Sequence, residues 1–94
     1  ELEIKDIESY ENETLISILT ENKKLTDEQL KMLGDLLYEK GDYYMRENKL
    51  DEEKGENCFY KTQLIYRFLA IHSTLNFSLD MHYKMQVLDK LLTK

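Results

Sequence analysis

The sequence contains no proline and no tryptophan, and only three glycines and one cysteine in 94 residues. Sandwiches and barrels need many turns, and turns draw on glycine and proline. A chain this poor in breakers is therefore expected to be all-α. A single cysteine, Cys58, excludes an internal disulfide framework and a multi-cysteine zinc site, and it fits a reducing, cytoplasmic setting. No apolar run approaches the ~20 residues of a membrane span, and no signal-peptide pattern is present. Positive charge is also scarce. Thirteen Lys and Arg face nineteen Asp and Glu, for a net charge of −6. Nucleic acids and anionic membranes are recognised through basic patches. The longest basic clusters are Lys23 with Lys24 and the region from Lys90 to Lys94, so neither partner class is expected. A Gly-rich phosphate loop and a Ser-centred elbow are missing too.

What the chain does contain is apolar and charged in near balance, 41% and 34% of residues, a globular rather than a disordered composition. Its length suits one helical domain over residues 1–94 with a single modest core. The first residue is Glu1 rather than methionine, which fits a chain cut from a longer protein.

The stretch Gly55 to His72 organises the rest. At helical spacing it carries two apolar faces: Cys58, Phe59, Thr62, Ile65, Tyr66 and Leu69 on one side, and Tyr60, Leu64, Phe68 and Ile71 on the other. Lys61, Gln63 and Arg67 form polar ridges between them. A helix apolar around most of its circumference is expected to be covered on both sides, with one helix packed before it and another after.

In chain order, Glu1 to Ile7 has no strong helix start and reads as a lead-in. Ser9 caps an expected first helix, Tyr10 to Thr20, carrying Tyr10, Thr14, Leu15, Ile18 and Leu19 at three- and four-residue intervals. The polar residues Thr20 to Lys24 break it. Thr26 and Gln29 then match a capping box, with Leu25 placed to staple onto Leu30. The second helix runs to Glu47 or Asn48 on a stripe of Leu30, Leu33, Leu37 and Tyr44, widened by Leu36 and Tyr43. Gly41 lies inside it, either tolerated or admitting a neighbouring helix. Asp51 caps the third helix, and Ser78 the fourth, Leu79 to Leu92, whose stripe is Met81, Met85, Leu88 and Leu92. Phe77 fills the corner before it. The short turn between the second and third helices makes them an antiparallel pair.

This pair resembles a tetratricopeptide repeat, in which two helices interlock through small and aromatic positions. Leu37, Gly41 and Tyr44 fall on the pattern of the first helix, and Gly55, Phe59 and Thr62 on that of the second. The turn is about two residues longer than usual and the closing proline is missing. The wider run, from Ile7 through DLLYEKGDYY to Leu92, is similar to an uncharacterised bacterial tetratricopeptide-like family. The resemblance implies a four-helix fold: a short N-terminal helix, one repeat-like hairpin and a closing C-terminal helix. It brings no catalytic residues. It implies a binding scaffold whose groove is lined by Asp35, Tyr38, Asp42 and Met45. Repeats that clamp a peptide carboxylate use basic and amide side chains there, so this acidic, tyrosine-bearing surface suits a basic or amphipathic partner.

Little points to chemistry. Cys58 sits beside Phe59 on an apolar face, the setting of a structural thiol rather than a nucleophile. His72 and His82 do not share a ligand spacing, so no metal is expected, and no cofactor. The carboxylates are scattered over polar faces. Seven tyrosines are the more informative feature. Tyr44 and Tyr66 fall on core stripes, whereas Tyr38, Tyr43, Tyr60 and Tyr83 fall at stripe edges, where amphipathic rings favour interfaces. The reading is a non-catalytic interaction module that binds a protein or peptide, a second copy of the chain included. The alternative is a helical regulatory or oligomerisation domain of a larger protein whose activity lies outside these residues.

Overall fold

The computed structural model describes residues 4–47, 52–72 and 79–92, with side chains over 7–46, 53–72 and 79–92. It is helical, with five α-helices and no strand among the described residues. They are α1 (Ile4–Ser9), α2 (Asn12–Ser17), α3 (Asp27–Glu47), α4 (Glu52–His72) and α5 (Leu79–Leu92). A π-turn, Ile18–Asn22, extends α2. The Asn48, Asp51 and Ser78 caps and the Phe77 corner expected above lie outside the described residues.

α3 forms because nothing in it opposes a helix except Gly34 and Gly41. Its 21 residues include no β-branched side chain. Its start is the expected capping box: the Thr26 amide donates to Gln29 Oε1 at 2.8 Å, and the Gln29 amide to Thr26 Oγ1 at 3.1 Å. Leu30, Leu33 and Leu37 are buried, each contributing about 1.5–3 kcal/mol on removal from water. Leu36 and Tyr43, expected to widen this stripe, are instead 52% and 60% exposed. They lie on the back of α3, where none of the described helices packs.

α3 and α4 run antiparallel and meet at glycines. Gly34 sits against Tyr66 and Ile65, and Gly41 against Phe59 and the Gly55 carbonyl; Gly55 in turn sits beneath Met45. A Cβ built on Gly41 falls 2.8 Å from two atoms of the Phe59 ring and 3.1 Å from Gly55 O. The close approach, not tolerance, is therefore the role of Gly41. α4 is the central helix. Cys58, Phe59, Thr62, Ile65, Tyr66 and Leu69 are all buried, as the first apolar face requires.

The N-terminal region departs from expectation. The lead-in is a helix, α1, and Ser9 ends it rather than starting the next. α2 begins at Asn12 after Glu11, which makes no side-chain cap. Leu15 from α2 and Leu19 from the π-turn reach the core. The π-turn admits one extra residue: Lys23 N–H bonds Ile18 O at 2.9 Å, and Leu25 N–H bonds Leu19 O at 3.0 Å. Lys24 closes it in the left-handed region at φ 53°, where glycine is the usual residue. The stretch Thr20 to Lys24 thus reads as a break but is largely helical. The addition of α1 makes five α-helices among the described residues where four were expected.

Candidate interaction surface

Two carboxylates tie the outer helices to the α3–α4 pair. The first is Glu8, at the end of α1. It accepts Lys40 Nζ at 2.8 Å, the Tyr44 hydroxyl at 3.2 Å and the Cys58 thiol at 3.5 Å. Its backbone oxygen accepts Asn57 Nδ2 at 3.1 Å. Burial alone would raise the Glu8 carboxyl, but the hydrogen bond and charge of Lys40, with the Cys58 and Tyr44 donors, outweigh it and hold it below the ordinary value. The same contact works in reverse on the thiol. Burial, then the adjacent Glu8 charge, pushes Cys58 up to about 12. At neutral pH Cys58 is a protonated donor, not a thiolate.

Beside this cluster lies Lys61, read from the sequence as a polar ridge and found only 1% exposed. Its ammonium donates to Asn12 Oδ1 at 2.6 Å and to Asn57 Oδ1 at 3.2 Å. Burial lowers its pKa. Gln63, the second supposed ridge, is 8% exposed and donates to Asp89 Oδ1 of α5 at 2.8 Å. Both side chains face a neighbouring helix instead of solvent, α2 for Lys61 and α5 for Gln63. The polar spacing of α4 thus marks two further contacts rather than free edges.

The second carboxylate is Asp35, one of the four residues expected to line a groove. It accepts the hydroxyl of buried Tyr66, Lys31 Nζ at 2.9 Å and Lys84 Nζ of α5 at 3.5 Å. Lys84 also pairs with Asp80 at 3.2 Å. Burial would raise Asp35, but the Tyr66 and Lys31 hydrogen bonds and the two lysine charges hold it below the ordinary value. Tyr38 packs its ring on Phe59, centroids 5.8 Å apart, with Lys84 Nζ 5.2 Å from its own centroid. Asp35 and Tyr38 are thus brought together under α5. Asp42 pairs with Arg46 at 3.1 Å one turn on, and Met45 lies over Gly55.

The open surface is elsewhere. The second apolar face of α4, expected to be covered, is covered only in part. Tyr60 is 42% and Ile71 75% exposed, with Leu64 and Phe68 half-buried between them. This face runs into a groove of about 330 Å³ between α4 and α5, lined by Ala70, Ile71 and Met85 with His82 and Gln86. Arg67 and Asp89 stand on its rim 4.0 Å apart, at the outer limit of an ion pair, each with 59% of its side chain exposed. The sequence placed Ile71 and Met85 on packing stripes, whereas Tyr60 also fell at a stripe edge, where amphipathic rings favour interfaces. Nothing local separates Arg67, a polar ridge residue that is exposed, from Lys61, another that is buried.

Among the described residues no three His, Cys, Asp or Glu side chains are grouped to hold a metal ion. No described helix is long and apolar enough to cross a membrane. Comparisons with protein-family models, curated proteins and solved structures find no match for this chain.

Proposed function

We propose that this chain is a non-catalytic protein–protein interaction module with a tetratricopeptide-like helix pair at its centre, and that it binds through the α4–α5 face. One observation carries the reading: an apolar helix face, Tyr60 to Ile71, left partly open beside an apolar groove. Exposed apolar surface of this kind, rimmed by polar residues, marks interaction sites. The meshing of Gly41 with Phe59 and with the Gly55 backbone supports the repeat-like pairing, since small and aromatic positions mesh in that way in such repeats. The non-catalytic reading is supported by the occupation of the chemistry-bearing groups. The Cys58 thiol is held protonated, and Glu8 and Asp35 are each engaged by a lysine and a tyrosine.

The competing face is the back of α3, where Met32, Leu36 and Tyr43 are exposed. Site-specific photo-crosslinking separates the two. A crosslinker at Tyr60 or Ile71 is expected to give discrete adducts that Met85→Glu abolishes. Adducts from Leu36 and Tyr43 alone would move the site to α3, and adducts from neither would refute the reading.

A further inference from the structure

We infer that the partner of the α4–α5 face is a second copy of this chain, docked about a two-fold axis. The inference rests on the interaction reading above and adds the identity of the partner. Two features of the face support it.

The first is shape. A two-fold contact uses one patch on both subunits, so that patch must carry both a projection and the recess that receives it. Here Ile71, 75% exposed, is itself part of the wall of the groove of about 330 Å³ that Ala70 and Met85 also line, so one residue both projects and bounds the recess. Turned through a half-rotation, Ile71 of each copy enters the other's groove, and the Tyr60 end of each apolar face closes the edge.

The second is charge. The chain carries a net −6, so most homotypic contacts would bring carboxylate against carboxylate. The groove rim instead carries one cation, Arg67, and one anion, Asp89. Within one chain they stand 4.0 Å apart, too far for a close hydrogen-bonded pair, and Asp89 Oδ1 instead accepts from Gln63 at 2.8 Å while 59% of the Asp89 side chain stays exposed. Across a two-fold axis Arg67 of one copy meets Asp89 of the other, twice, and the pairing is self-complementary. A cationic partner would leave Arg67 opposed, and an anionic one would leave Asp89 opposed.

The size of the patch sets the strength. The apolar residues of the face number four, Tyr60, Leu64, Phe68 and Ile71, against roughly 20–30 residues a side in a standard stable interface. The contact therefore belongs to the weak, transient class, and the test spans a wide range of concentration.

The test is light scattering across a dilution series from about 5 to 500 μM. The mass is expected to rise from 11.3 kDa towards twice that value. Ile71→Glu should remain at the monomer mass throughout. Arg67→Glu and Asp89→Lys should each weaken self-association at least tenfold. Mixing those two variants should restore the dimer, because each supplies the charge the other lacks; no pairing within one chain predicts that rescue. The three positions are exposed, and thermal melts by circular dichroism verify that each variant is folded. A wild-type monomer at every concentration overturns the inference and leaves the interaction reading to the crosslinking experiment. A dimer that survives Ile71→Glu, or a mixture that stays monomeric, overturns the assignment to this face.

Discussion

Replacing Gly41 by alanine tests the packing of α3 on α4 most directly. Two opposed effects meet at this residue. Alanine in an open helix interior would stabilise the protein by about 1 kcal/mol relative to glycine. Here the added Cβ falls 2.8 Å from Cδ1 and Cε1 of Phe59 and 3.1 Å from the Gly55 carbonyl oxygen. The Phe59 ring is pinned against Tyr38, and the carbonyl moves only if the helices part. Overpacking of a tight contact costs roughly 1–3 kcal/mol, so the net expectation is a loss of about 1 kcal/mol, within a range of roughly 0–2. In a domain of this size a loss of about 1 kcal/mol lowers the Tm by about 4–8 °C. Gly55→Ala is the internal control. Its nearest neighbours are Cγ and Sδ of Met45 at 2.9 Å, the end of a flexible side chain that can swing aside, so the gain and the cost nearly cancel. Urea and thermal unfolding followed by circular dichroism measure both. A Gly41→Ala protein more stable than wild type, by the ~1 kcal/mol that helix propensity alone predicts, would refute the interlock.

Acid should unlatch the outer helices. Glu8 and Asp35 both titrate below their ordinary values, so their contribution is complete above the unfolded values of about 4 and is lost as the pH falls through the lower folded values. Urea midpoints should fall below about pH 4, and Asp35→Asn should flatten that acid limb while lowering stability at pH 7. Lys24→Gly should stabilise the protein by about 1 kcal/mol, since it relieves a left-handed conformation that a side chain disfavours; an unchanged urea midpoint would argue against the strain. Cys58, buried with its thiol pushed up to about 12, should react with a thiol reagent only as fast as the protein opens. Labelling faster than unfolding in native buffer would contradict its placement.

Most of the helical framework was legible in local chemistry. The Thr26 capping box, the α3 stripe from Leu30 to Leu37 and the limits of α5 all depend on residues within a few positions of one another. α1 did not show itself because nothing local favours it. It is held by the bonds of Glu8 to Lys40, Tyr44 and Cys58, which are 32, 36 and 50 positions distant. The π-turn was hidden because its polar residues read as a break, although Leu19 points into the core. The same limit applied to surface and interior on α4. Side-chain polarity placed Lys61 outside and Ile71 inside, and tertiary neighbours reversed both. Asn12 and Asn57 supply the partners that make burial of an ammonium tolerable, while none of the described helices covers Ile71.

Lys61 also bears on the order of events during folding. Its Asn57 partner is one helical turn away and is present as soon as α4 forms, whereas Asn12 lies 49 positions earlier in the chain. Until Asn12 arrives, the ammonium can keep its water, and the α3–α4 pair can assemble without dehydrating it. Arrival of the N-terminal segment and loss of that water are then one step. Docking of Asn12 and dehydration of Lys61 are thus coupled, and hydrogen exchange is expected to show α1 and α2 opening before the α3–α4 pair.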